Sequence, residues 1–115
     1  MIWTTFLFNM RLDIKPLSVN KAWKGRRMKT DDYNSYILLV NSLLKPMTIP
    51  EGDLVVCLTF GFETKGSDID NPVKCFIDII SKYYEFNDNR IVEMHLRKIK
   101  TGKGKQFIYF DISGK

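Results

Sequence analysis

Apolar residues in this chain recur at two different periods, and the order in which those periods alternate is what most narrows the possible folds. From Thr30 the stretch TDDYNSYILLVNSLLK places Tyr33, Tyr36, Ile37, Val40, Leu43 and Leu44 at spacings of three and four, the repeat of one helix face. Thr30 suits the cap position, and Asp31 and Asp32 suit the first turn, where carboxylates meet the positive end of the helix dipole. Pro46 and the loop to Gly52 close this helix. The helical repeat returns in Val73, Phe76, Ile77, Ile80, Tyr83 and Tyr84, with Lys74, Asp78, Ser81, Lys82 and Glu85 on the other side. Elsewhere the period is two. Phe6, Phe8, Met10, Leu12 and Ile14 alternate within a long expected strand over residues 2–14, and Val92, Met94 and Leu96 alternate with Glu93, His95 and Arg97 over 91–99. DLVVCLTFGF, residues 53–62, reads as a strand buried on at least one face, and QFIYFDI as the last strand, with TGKGK as a hairpin loop before it. Pro16, Ser18 and Asn20 break the first strand into a loop.

The order strand, helix, strand, helix, strand, strand predicts an α+β two-layer sandwich: a mixed or antiparallel four-stranded sheet with both helices on one face. A chain of 115 residues, 44% apolar, has the size and composition of one domain spanning 1–115 with a single core. The opening MIWTTFLF carries no basic leader and gives way to Asn9, Arg11 and Asp13, so it reads as a strand rather than a signal peptide or a membrane span. Cys57 and Cys75, each inside an apolar pattern and outside any CxxC pair, are expected to be buried free thiols, which fits a cytoplasmic protein.

Eighteen Lys and Arg stand against thirteen Asp and Glu, a net charge of +5, and the basic residues are clustered. Lys21, Lys24, Arg26, Arg27 and Lys29 share one acid-free segment with Trp23; Arg97, Lys98, Lys100, Lys103 and Lys105 share another. Two such segments in a small domain point to a polyanionic partner, with solvated loops as the plain alternative.

The acids concentrate between them, in SDIDNPVKCFIDIISKYYEFNDNR, residues 67–90. Pro72 fits the first helical position and Asn71 the cap, which leaves Asp68 and Asp70 in an extended lead-in, pointing the same way and near Lys74. Capping and turn chemistry alone explain many such aspartates, Asp88 among them. Yet capping needs one acid, and paired carboxylates repel unless a cation lies between them; hard oxygen donors suit Mg2+ or Mn2+. A calcium loop opened by Asp68 would put Val73 where Gly is needed and Ile79 where Glu is needed, so that reading fails. His95, the one histidine, has no partner motif and reads as a surface or sheet residue, and no Gly-rich phosphate loop points to a nucleotide cofactor. A metal-dependent nuclease follows as a hypothesis, since metal ions stabilise charge on a phosphodiester while basic side chains hold the backbone.

These residues resemble the RusA family of Holliday-junction resolvases. The family's Asp-x-Asp-Asn-x-x-Lys core, a helical Asp and a later acid-containing turn correspond to Asp68, Asp70, Asn71, Lys74, Asp78 and Asp88. KPLSVNKAWKGRRMKTDDYNSY is similar to the family's Pro-x-Ser-x-Asn loop, basic linker and Tyr-containing helix. The resemblance implies a RusA-like fold and a homodimeric, Mg2+-dependent endonuclease, with Mn2+ able to substitute, that cuts paired strands of four-way DNA junctions. It also implies that Asp68, Asp70 and Asp88 bind metal and that Lys74 contacts the scissile phosphate or positions the attacking water. Lys21, Lys24, Arg26, Arg27, Lys29, Lys98, Lys100, Lys103 and Lys105 become candidate phosphate contacts, and Trp23 either a stacking partner for an unpaired base or an anchor of its loop on the core. Many members carry two adjacent acids in the turn where this chain has Asn87 and Asp88. The competing readings are a non-catalytic DNA-binding protein with structural acids and a nuclease for other branched DNA.

Overall fold

The computed structural model describes residues 8–18, 22–24, 28–66 and 68–115. Strand β1 (Phe8–Leu12) occupies part of the expected 2–14 strand; residues 2–7 lie outside the described residues. The following stretch is not plain loop as expected. Strands β2 (Trp23–Lys24) and β3 (Met28–Lys29) pair antiparallel, Trp23 opposite Lys29, a local ladder that satisfies backbone groups the loop would leave to water. Helix α1 (Asp31–Leu43) begins as its sequence predicts: the Thr30 hydroxyl accepts the Tyr33 N–H at 3.1 Å, with Asp31 and Asp32 in the first turn. Strand β4 (Leu54–Phe62), helix α2 (Val73–Tyr83), a 3-10 turn (Asp88–Arg90), β5 (Ile91–Lys100) and β6 (Phe107–Gly114) complete the chain.

The four longer strands form one mixed sheet in the order β1-β6-β4-β5, with β4 and β5 parallel and the other pairs antiparallel. The parallel pair exists because α2 carries the chain back to the starting end of β4 before β5 begins. TGKGK is therefore not a hairpin. β5 and β6 flank β4 on opposite sides, so the connection crosses the end of β4, where the Thr101 N–H donates to the Phe62 carbonyl at 2.7 Å and the Gly104 N–H to the Glu63 carboxylate.

Both helices lie on one face. Leu54, Val56, Leu58 and Phe60 alternate along β4 into the same buried cluster as Ile108, Phe110 and Ile112 of β6, Tyr33, Tyr36 and Val40 of α1, and Phe76, Ile79 and Ile80 of α2. The Phe76 and Phe110 rings meet edge to face at 5.3 Å. Cys75 is buried in this layer as expected, whereas Cys57 alternates onto the opposite face of the sheet and is only half-buried. On that face the Phe107 ring covers Gly61, and the Arg11 guanidinium lies 4.1 Å above the ring. Among the described residues no helix is long and apolar enough to cross a membrane.

Candidate functional site

The acidic motif begins in turns, not in extended chain. The Asn71 N–H donates to the Asp68 carbonyl at 3.3 Å and the Val73 N–H to the Asp70 carbonyl at 3.2 Å, so the chain already winds towards α2. Asn71 does not cap the helix; Pro72 holds that position, with φ −87° and ψ −4°, and no side chain closes a cap bond. The reason is local: turn carbonyls take the amides that an Asn71 side chain would otherwise serve. The period-two argument for Asp68 and Asp70 therefore lapses, although both remain exposed at the entrance to α2.

Asp88 returns to α2 through a reversal at the far end of the helix. Glu85 adopts a left-handed φ of +56°, the Phe86 N–H donates to the Ser81 carbonyl at 2.9 Å and the Glu85 N–H to the Lys82 carbonyl at 3.3 Å. This is the Schellman arrangement, with buried Phe86 as its apolar anchor. Tyr83 and Tyr84 donate to the carbonyls of Leu44 and Lys45, tying the end of α2 to the end of α1. Beyond it, the Asn87 side chain accepts the Asn89 N–H at 2.9 Å, and Arg90 donates to the carbonyls of Gly52 and Pro50, which fixes the 3-10 turn beside β4.

What the fold brings together is Lys74, Asp78 and Asp88. The Lys74 ammonium lies 3.1 Å from Asp78 Oδ1, one helical turn on, and 3.8 Å from Asp88 Oδ2. The hydrogen bond and charge of Asp78, then the charge of Asp88, hold the Lys74 pKa above its ordinary value, so it stays a cation across the physiological range. Asp78 was assigned no role from sequence, although its position four residues after a lysine is the spacing that pairs charges on a helix.

Oxygen donors of this kind suit Mg2+ or Mn2+ in chemistry but are not grouped for it. Among the described residues no three His, Cys, Asp or Glu lie together so as to hold a metal ion. The Lys74 ammonium is shared between Asp78 and the more distant Asp88, and Asp68 and Asp70 are exposed at the helix entrance.

The DNA-contact candidates divide. Lys21, Arg26 and Arg27 lie outside the described residues; Trp23 and Lys24 form β2. Lys29 is exposed, its ammonium 5.6 Å from the centre of the Tyr33 ring. Lys98 donates to the Lys65 carbonyl at 3.2 Å, while Lys100, Lys103 and Lys105 are exposed on the end of β5 and the crossing connection. His95 pairs with Glu93 at the surface, where Lys115 and His95 together hold the Glu93 carboxyl below its usual range. Comparison with known protein families and with characterised proteins finds no match for this chain.

Proposed function

We propose that this protein is a structure-selective endonuclease that cuts four-way DNA junctions in paired strands, acting with Mg2+ as a dimer whose two-fold symmetry matches that of the junction. The observation that carries the reading is the return of Asp88 to the flank of α2: a residue fourteen positions beyond Lys74 comes within 3.8 Å of its ammonium. In the family pattern these are the distant acid and the lysine of one site, and Asp68 and Asp70 open the same helix.

On the family pattern Asp68, Asp70 and Asp88 would hold the ion, which when bound would stabilise charge on the scissile phosphate, although in this structure they are not gathered into a ready-made site. Lys74, kept cationic by its neighbours, supplies a positive group for a phosphate oxygen. Exposed Lys29, Lys100, Lys103 and Lys105 supply non-specific backbone affinity.

The second reading, a DNA-binding protein without catalysis, draws on the same ion pair: if Asp88 serves only to hold Lys74, the acids are structural. A synthetic four-way junction incubated with and without Mg2+ separates the two. Native protein is expected to nick symmetrically only with metal, and Asp70→Asn to bind the junction without cutting it. Binding by the native protein with no cleavage in either Mg2+ or Mn2+ selects the non-catalytic reading.

A further inference from the structure

Beside the entrance to α2 lies a cavity that the acidic motif does not use. Its volume is about 630 Å3, within the range of sites that enclose small ligands. It sits between the 15–18 segment, α1, the end of β4 and the residues that immediately follow Asp70. We propose that it receives one unstacked nucleobase of the DNA strand held at Asp68 and Asp70, and that it favours bases with an exocyclic amino group. The inference rests on the nuclease reading.

Apolar surface for the faces of a ring comes from Leu17 on the 15–18 segment and Leu39 on α1, with buried Pro16, Phe62 and Pro72 packed behind them. A flipped base can pack its faces against apolar side chains whatever its identity. The lining also includes residues whose polar groups can read an edge: Asp32, Ser35, Asn71, Gln106 and Glu63, whose carboxylate also accepts the Gly104 N–H. Two carboxylates against the single cation of Lys15 make the cavity a poor host for a phosphate. A neutral ring that donates N–H groups to carboxylate oxygens is the better match, as when acidic side chains read the amino group of cytosine. Thymine has no exocyclic amino group and offers only its ring N3–H.

Position supports the same occupant. Asn71 and Pro72 line the cavity and directly follow Asp70, so a nucleotide whose base enters here leaves its phosphate beside the motif. Unstacking a base costs a few kcal/mol in a continuous duplex and least where pairing is already interrupted, as at a crossover. Tyr36 also lines the cavity, its hydroxyl buried and faced by the Leu17 N–H.

Two measurements test the cavity, one of them independent of cleavage. Deoxycytidine and deoxyadenosine, which carry no phosphate, are titrated against isotopically labelled protein by NMR, with thymidine as the control. Shifts of the Leu17 and Asn71 amides are expected with the first two and not with thymidine, and are expected to vanish in Leu39→Trp, whose ring fills the cavity from a half-exposed position that tolerates it. An unchanged circular dichroism spectrum and Tm confirm that this variant folds. Separately, 2-aminopurine is placed at each position around the crossover of a junction bound by Asp70→Asn. Its fluorescence is expected to rise severalfold at one position and to stay low there when Leu39→Trp is added. A bound junction with no rise at any position, or equal shifts with thymidine, overturns the proposal. Nucleoside shifts without junction binding keep the base site and overturn the junction reading instead.

Discussion

The Lys74 ammonium lies 3.1 Å from Asp78 and 3.8 Å from Asp88, so any cation arriving at Asp88 meets a charge already present. Both effects of that charge are measurable in Lys74→Gln. Removing it relieves repulsion, so Mn2+ is expected to bind more tightly by calorimetry. It also removes the positive group for the phosphate, so junction cleavage in Mg2+ is expected to fall on the order of a hundredfold, the scale of losing one charge-stabilising donor. Weaker Mn2+ binding in the variant would show that Lys74 does not compete with metal at Asp88. At the other end of α2, Glu85 carries a left-handed φ of +56° at a position that glycine occupies without steric penalty. The strain amounts to about 1–2 kcal/mol, and the greater unfolded-state freedom of glycine offsets part of it. Glu85→Gly is expected to stabilise the protein by roughly 0.5–1 kcal/mol, read as a higher midpoint in urea; a lower midpoint would mean that the Glu85 side chain contributes more than its backbone costs.

Each element carries its own balance between local pattern and tertiary context. Helix α1 was legible because its period, its Thr30 cap and its acidic first turn agree, although Leu43, counted on its apolar face, is exposed. The β5–β6 connection was misread because Thr-Gly-Lys-Gly-Lys has hairpin chemistry, while its path is decided by α2, which delivers β5 to the far side of β4. The lead-in at Asp68 and Asp70 was misread for a related reason: alternate spacing looks extended, but carbonyls of the chain itself fold it into turns. The approach of Asp88 to Lys74 depends on a left-handed Glu85, a residue type that gives no warning of that conformation. Strand β4 offers the sharpest test of element packing. A Cβ on Gly61 would lie 2.3 Å from the Phe107 ring, which Arg11 covers from the other side. Gly61→Ala is expected to destabilise the domain by about 1–3 kcal/mol, the usual scale of overpacking. Adding Phe107→Leu should recover part of that loss, and a purely additive pair would place the strain elsewhere.

At the scale of the whole molecule, the crossing connection puts a basic arch at the end of β4. Lys103 and Lys105 are exposed on it, Gly104 is anchored to Glu63, and both Glu63 and Gln106 line the cavity beside Asn71 and Pro72. The cationic arch, the cavity and the entrance to α2 thus share one end of the sheet, and under the proposed function a strand held by its phosphates on the arch would be led towards Asp70. Phosphate contacts of this kind contribute affinity without reading sequence, and each one lost lowers the steepness of binding against log salt by about 0.9 on duplex DNA. Lys103→Ala with Lys105→Ala is therefore expected to weaken junction binding at low salt and to reduce the slope by about 1.8. Cleavage by saturating protein should change little, because neither lysine reaches the Lys74–Asp88 pair. A slope unchanged by the double substitution would take Lys103 and Lys105 out of the interface and leave Lys29 on β3 and Lys100 at the end of β5 as described candidates for the DNA backbone.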